Sequence, residues 1–296
     1  MLEIRDLVKV YPGPVAALQG VSLDVPVGMF GLLGPNGAGK STLMKIVAGL
    51  LEPTSGRATL DGTDLTADPD AGRAEIGYLP QSFGFHPHLT GEQMLLHLLR
   101  LKGVRAAMGL RRAARELLGR VGLEEAARRK VGGYSGGMRQ RLGIAQAVAG
   151  DPRLIVVDEP TAGLDPEERL RFHRLLAELA QDRIVLLSTH IVEDVAVLCP
   201  RFALIRRGEI VADTTPRVAR ERLRGALYEA SVAPADLEDV GARHTVTQAI
   251  LVEGRNRVRV FAPAGAPDGF SPVEPTLEDA YFVLMRDGGA LAEAEA

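Results

Sequence analysis

Cysteine is nearly missing from this sequence: Cys199 is the single one in 296 residues, which excludes an internal disulfide and a cysteine-based metal cluster. Tryptophan is absent and aromatic residues make up 4%, so no aromatic-rich surface for stacking bases is indicated. A net charge of -3 at pH 7 argues against a globally basic chain, and no nucleic-acid partner is expected. No apolar run approaches the roughly 18 residues that suggest a membrane-spanning helix, so any membrane role is expected to run through a partner. Met1 to Arg5 does not open a secretory signal, and with the lone cysteine this sets the expectation of a reducing, cytoplasmic setting. Internal repeats and zinc-ligand spacing are also lacking. The length leaves room for one large domain, or a large and a small one, with a sizeable core.

What is there centres on Gly34-Pro35-Asn36-Gly37-Ala38-Gly39-Lys40-Ser41, which reads G-x-x-x-x-G-K-S, a phosphate-binding loop. Met29, Phe30, Leu32 and Leu33 ahead of it suit a buried strand, and Leu43, Ile46, Val47 and Leu50 behind it recur at helical spacing. Gly34, Gly37 and Gly39 let the backbone turn so that successive N–H groups face inward, while the helix beginning near Lys40 aims its positive dipole end at the same anion. A triphosphate is the natural guest, with Lys40 reaching the outer phosphates and the Ser41 hydroxyl on Mg²⁺, next to Thr42.

Three further stretches carry polar residues to the ends of apolar strands. Leu154 to Val157 reads as a buried strand running straight into Asp158-Glu159. Acids there, beside a phosphate loop, have a clear use: Asp158 to hold hydrated Mg²⁺, Glu159 to orient or deprotonate an attacking water. Arg183 to Ser188 reads as another core strand, ending at the ligand edge with Thr189-His190, where His190 is either structural or offers an imidazole N–H to a terminal phosphate. Ile76 to Leu79 leads to Gln81, which on its own terms is either a ligand contact or a solvated loop residue. Tyr11, at the end of a half-buried strand from Leu2, either stacks on a purine or covers the sheet.

Between Leu89 and Ala149 the pattern turns helical, opening with Thr90-Gly91-Glu92-Gln93 at capping-box spacing. From Arg100 to Arg141 there are twelve basic residues against three acids, a local balance of +9 that leaves -12 for the rest. That asymmetry is either a solvated helical face or the footprint of an anionic neighbour. Ser135-Gly136-Gly137 opens a further helix whose glycines expose N–H groups. Past Arg220 the composition shifts to short strands at Ala226 to Val232, Thr245 to Val252 and Arg257 to Phe261, then to a helix capped at Thr276. Phe282, Val283 and Met285 lie off that helix's main apolar stripe, so it is expected to brace two copies. The tail, 288–296, is expected to be disordered.

These residues together resemble the ATP-binding-cassette (ABC) ATPases over roughly the first 220 positions, in the family's order. The resemblance rests on the loop Gly34 to Thr42, Gln81 as the Q-loop, Tyr134-Ser135-Gly136-Gly137-Met138 as the signature, Asp158 and Glu159 as the Walker B pair, Gly163-Leu164-Asp165 as the D-loop, and His190 as the switch histidine. Tyr11 falls where the family keeps its adenine-stacking aromatic. The signature has Tyr134 and Met138 where Leu and Gln are usual. With the stretch Pro275 to Tyr281, this form looks like the ATPases of bacterial drug, sodium or polysaccharide exporters.

The resemblance implies an α/β P-loop NTPase with a mixed core sheet, an antiparallel β subdomain and an inserted helical subdomain at about 86–150. The cassette would occupy residues 1–220, and a small accessory α+β domain 221–296. It implies ATP and Mg²⁺ as ligands, with Glu159, His190 and Gln81 catalytic, Ser41, Gln81 and Asp158 around the metal, and the loop from Gly34 through Pro35, Asn36, Gly37, Ala38 and Gly39 to Lys40 and Thr42 on the phosphates. Two copies would pair head to tail in the ATP-bound state, each offering Ser135, Gly136 and Gly137 to the other's nucleotide, with Asp165 in the D-loop. Separate membrane permease subunits would hold the pair at the inner face of the cell membrane. A soluble regulatory or mechanical ABC ATPase not coupled to transport is the alternative.

Overall fold

The structure is a computed structural model and describes residues 1–13, 15–161 and 163–287. Pro14 and the tail expected to be disordered, 288–296, lie outside the described residues. In chain order, β1 (Leu2–Tyr11) turns into β2 (Val15–Val25), and β3 (Gly28–Leu33) runs into α1 (Lys40–Val47). β4 (Ser55–Leu60), β5 (Thr63–Asp64) and the short α2 (Pro69–Gly72) lead to β6 (Ile76–Leu79). Helices α3 (Gly91–Leu101), α4 (Leu110–Arg120) and α5 (Gly136–Ala147) follow, then β7 (Leu154–Asp158), α6 (Pro166–Leu179), β8 (Ile184–Thr189) and α7 (Val192–Leu198). The hairpin β9 (Arg201–Arg206) and β10 (Glu209–Thr214) precedes α8 (Pro216–Glu221), β11 (Leu227–Val232), α9 (Leu237–Arg243), β12 (Thr245–Val252), β13 (Arg255–Phe261), β14 (Ser271–Pro272) and α10 (Leu277–Asp287).

Three sheets result. β2-β1-β4-β5 is antiparallel, β10-β9-β3-β8-β7-β6 is mixed, and β12-β13-β11-β14 is antiparallel. The central sheet is covered on both faces, and its strands divide their side chains with a period of two. Met29, Leu33, Ile155, Val157, Val185, Leu187, Phe202 and Leu204 join the helical side of the core. Phe30, Leu32, Leu154, Val156, Ile184, Leu186, Ala203 and Ile205 join the opposite side, with α1 and the first antiparallel sheet. This explains why β7 and β8 read in sequence as unbroken apolar runs.

The expected Thr90–Gln93 capping box forms at α3, with Gln93 N–H donating to Thr90 Oγ1 at 3.2 Å and Thr90 N–H to Gln93 Oε1 at 2.9 Å. β2 was not anticipated, because Gly20, at φ 83°, and repeated register shifts against β1 break its apolar alternation. α9 escaped notice for a different reason: it buries no residue, so it has no apolar stripe to read. Among the described residues no helix is long and apolar enough to cross a membrane.

The C-terminal sheet has a small core of its own in Tyr228, Val232, Val258 and Val260. α10 instead belongs to the main core, where Leu277, Ala280, Val283 and Leu284 are buried. At roughly 1.5–3 kcal/mol per buried Leu or Val, that helix fastens the C-terminal segment to the main core. Its cap is made by Thr276 and Asp279, whose carboxylate also takes bonds from Thr247 Oγ1 at 2.6 Å and Arg259 Nη1 at 2.7 Å. Val283 is therefore spent inside the chain and Met285 packs half-buried against the same core, leaving Phe282 exposed. The apolar pattern that suggested a brace between copies is largely internal packing.

Candidate functional site

Parallel pairing brings the polar strand ends to one edge. β3 pairs with β8 through Leu33 and Thr189, β8 with β7 through Ser188 and Asp158, and β7 with β6 through Val157 and Leu79. The residues that follow, Gly34 onward, His190, Glu159 and Gln81, therefore leave the sheet at one level, the carboxyl edge of an open α/β sheet where ligands bind.

A cavity of about 300 Å³ lies there, lined by Ala17, Asn36, Gly37, Gly39, Lys40, Ser41, Thr42, Gln81 and Glu159. Gly34 and Gly39 are dictated by close approach: a methyl on Gly34 would collide with the Ile205 carbonyl, and one on Gly39 with the Ala17 carbonyl. Gly37, at φ 79°, has the left-handed backbone that the loop's turn requires. α1 begins at Lys40 with no side-chain cap, so its first N–H groups are free to meet an anion at the cavity. The size, the glycine-lined wall and the helix terminus fit a polyphosphate. Ser41 and Gln81 line the cavity and Asp158 lies buried beside Glu159; their hydroxyl, amide and carboxylate oxygens are the donor types that suit a hard cation such as Mg²⁺.

Glu159 is the meeting point. Lys40 Nζ lies 3.1 Å from its Oε1, while Gln81 Nε2 donates to Oε2 at 3.1 Å and His190 Nδ1 lies 3.2 Å from the same oxygen. Lys40 also donates to the carbonyls of Gly34 and Pro35, at 2.8 and 3.1 Å. The Glu159 backbone is left-handed, at φ 47°, and its N–H is fixed on the Ser188 carbonyl at 3.1 Å. A glutamate held in that conformation costs on the order of 1–3 kcal/mol, a kind of strain that concentrates at functional sites. One step back along β7, Asp158 is buried and accepts a bond from the Ser188 hydroxyl.

Other expected site residues sit elsewhere. Tyr11 is half-buried beside the loop, its hydroxyl 3.4 Å from Thr42 Oγ1 and its ring beneath Lys9 Nζ at 5.4 Å. His190 also borders a larger open groove of about 630 Å³ between α7 and α10. Ser135, Gly136 and Gly137 do not line the loop cavity. They open α5, where Ser135 Oγ accepts from Met138 N–H at 3.1 Å. Gly137 is set by packing, since a methyl there would run into the Glu168 side chain. Asp165 caps α6, accepting from Glu168 N–H at 2.8 Å. Tyr134, the unusual signature residue, is buried and donates to the Ala126 carbonyl at 2.8 Å, which makes it a strut of the helical region.

The basic segment is partly neutralised within the fold. Arg141 lies against Glu168 at 3.3 Å and the Gly122 carbonyl at 2.9 Å, and Arg112 and Arg115 pair with Glu116 and Glu92. Arg100, Arg105, Arg111, Arg120, Arg128, Arg129 and Lys130 remain exposed. Sequence reasoning missed Ser188, which holds both Asp158 and Glu159, and the buried carboxylate Asp194. A polar pair, Ser188-Thr189, closing an apolar strand was the available signal for the first. Asp194 carried no local signal of its own, being one of two acids in the first turn of the short α7.

Residues 18–162 match the family described as ABC transporter. The chain is 38% identical to the Nod factor export ATP-binding protein I of Burkholderia orbicola (strain AU 1054), over 74% of this chain and 72% of that one. It is 33% identical to ABC transporter A family member 10 of Arabidopsis thaliana, over 95% of this chain, and spans 31% of that protein's length. Among solved structures, MJ0796, described as a bacterial ABC transporter cassette in dimeric form, superposes with a TM-score of 0.66 at 28% identity, over 73% of this chain and 98% of that one.

Proposed function

We propose a function on one premise: the chain belongs to the ABC transporter family and is an ATPase of it. In this reading it is the subunit that powers a membrane transporter, working as two copies paired head to tail around ATP. The observation that carries it is the convergence of Lys40, Gln81 and His190 on Glu159 beside the phosphate loop.

Lys40 neutralises the outer phosphates and the N–H groups at the start of α1 orient them. Glu159 accepts the proton of a water whose oxygen attacks the terminal phosphorus, and the bond from that phosphorus to the bridging oxygen breaks to leave ADP and phosphate. His190 and Gln81 hold the carboxylate in line. Mg²⁺ on Ser41, Gln81 and Asp158 would offset charge on the leaving oxygens. Tyr11 stacks on the adenine.

Ser135, Gly136 and Gly137 serve the partner copy's ATP, which accords with their place at the start of α5, where Ser135 and Gly136 are exposed, away from their own loop. Hydrolysis then weakens the closed pair, so the two copies form a clamp with different affinity in the ATP and ADP states. The direction is export, supported by the printed role of the Burkholderia relative. Separate permease subunits hold the pair at the inner face of the membrane, and the exposed basic residues of the helical segment face that assembly.

The test is the mass of purified Glu159→Gln protein by light scattering, with Mg-ATP and with Mg-ADP. A dimer with ATP alone is the expected result. A monomer with ATP bound would contradict the assignment of Ser135 to a partner's nucleotide.

A further inference from the structure

Behind the edge that carries Glu159 and His190 lies a carboxylate the reading above does not use. Asp194, in the first turn of α7, is 0% exposed. Its Oδ2 accepts from Thr161 Oγ1 at 2.7 Å and from Thr189 Oγ1 at 3.3 Å. Its Oδ1 accepts from Arg169 Nε at 2.9 Å and lies 2.9 Å from His173 Nε2. These partners come from three segments. Thr161 closely follows Glu159, Thr189 immediately precedes His190, and Arg169 and His173 belong to α6, the helix that Asp165 caps.

A charge buried this deeply persists only where donors surround it, and losing any of them leaves an uncompensated group. The Thr189 hydroxyl donates to Asp194 and accepts from Ile191 N–H at 2.9 Å, which fixes the backbone around His190 from within. Since Thr161 is held by the same carboxylate, the exit from β7 and the exit from β8 cannot shift independently.

We propose that Asp194 is a positioning residue, locking the segments that carry Glu159 and His190 to each other and to the helix that follows Asp165. The inference rests on Glu159 as the base. Asp194 is fully buried and does not line the loop cavity, so its removal is expected to change turnover rather than ATP affinity. Misplacing a reacting group by about an ångström can cost on the order of a hundredfold in rate.

The test is full-length protein carrying Asp194→Asn, Thr161→Val, Thr161→Ser, Thr189→Val or Glu159→Gln, each assayed for ATP turnover, equilibrium ATP binding and melting. The valine variants keep the shape of threonine, Thr161→Val removing its one bond to Asp194 and Thr189→Val removing both its bond to Asp194 and the one it accepts from Ile191 N–H, so they report even if Asp194→Asn folds poorly. A fall in kcat of about tenfold or more is expected for Asp194→Asn, with smaller falls for Thr161→Val and Thr189→Val, unchanged ATP affinity, and recovery in Thr161→Ser. Wild-type kcat in both valine variants, with only their melting lowered, would make the cluster a structural plug and overturn the proposal. Wild-type turnover in Glu159→Gln would instead remove the reading beneath it, and the proposal with it.

Discussion

Glu159 and Asp194 are both buried carboxylates, 8% and 0% exposed, yet their surroundings differ in kind. The partners of Glu159 are drawn from the edge of the cavity: Gln81 and His190 are exposed, and Lys40 has two loop carbonyls as further acceptors. Its backbone is strained. Asp194 sits in regular helix, enclosed by Thr161, Thr189 and His173, which are themselves buried, with Arg169 as its one partly exposed partner among the described residues. A carboxylate that must exchange partners during a reaction is served by groups with somewhere else to go. One that must hold still is served by groups that are walled in.

The largest effect on this contrast should come from Lys40→Ala. It takes away the cation shared by Glu159 and the loop, and ATP affinity is expected to fall roughly 10- to 100-fold, the scale of charged hydrogen bonds. Isothermal titration with ATP checks this, and unchanged affinity would detach Lys40 from the phosphates. Next is Gly137→Ala, which forces Glu168 away from its contact and strains the α5–α6 junction behind the Asp194 cluster. Overpacking of this kind costs about 1–3 kcal/mol, measurable by urea unfolding. A loss near zero would mean that the Glu168 side chain swings clear and that its contact with Arg141 contributes little.

The smallest effect is expected from acid. Burial pushes the Asp194 carboxyl up, and the bonds from His173, Thr161 and Arg169 outweigh this, holding it below the usual carboxylate range. Its folded pKa is thus below the unfolded value of about 3.9. The stability it contributes is fully present above that unfolded value and is lost as pH falls through the lower folded one. Asp194→Asn should therefore flatten the acid limb of a stability-against-pH curve relative to wild type. An unchanged limb would say that the favourable bonds do not offset burial.

How much of this could be read in the sequence depended on whether a function lies in one stretch of chain. The phosphate loop, Asp158-Glu159 and His190 each follow an apolar run, so strand and polar end were visible together. Gln81 needed the other three to be more than a loop residue. The Asp194 cluster is scattered over Thr161, Arg169, His173, Thr189 and Asp194, and each member has an ordinary local explanation. Only the parallel register of β7 and β8, with α6 and α7 laid against them, brings the five together. The same limit hid the second use of α10: its apolar residues on more than one face suggested a partner, whereas Val283 and Leu284 are taken up by the main core. Packing that closes over long separations leaves no periodic trace.

The most direct measurement of the central claim is ATP binding and ATP hydrolysis by Glu159→Gln beside the wild type. With Glu159 as the base, binding is retained while hydrolysis falls by at least about a hundredfold. Wild-type hydrolysis in that variant would contradict the account, because the carboxylate on which Lys40, Gln81 and His190 converge would then not be the group that takes the proton.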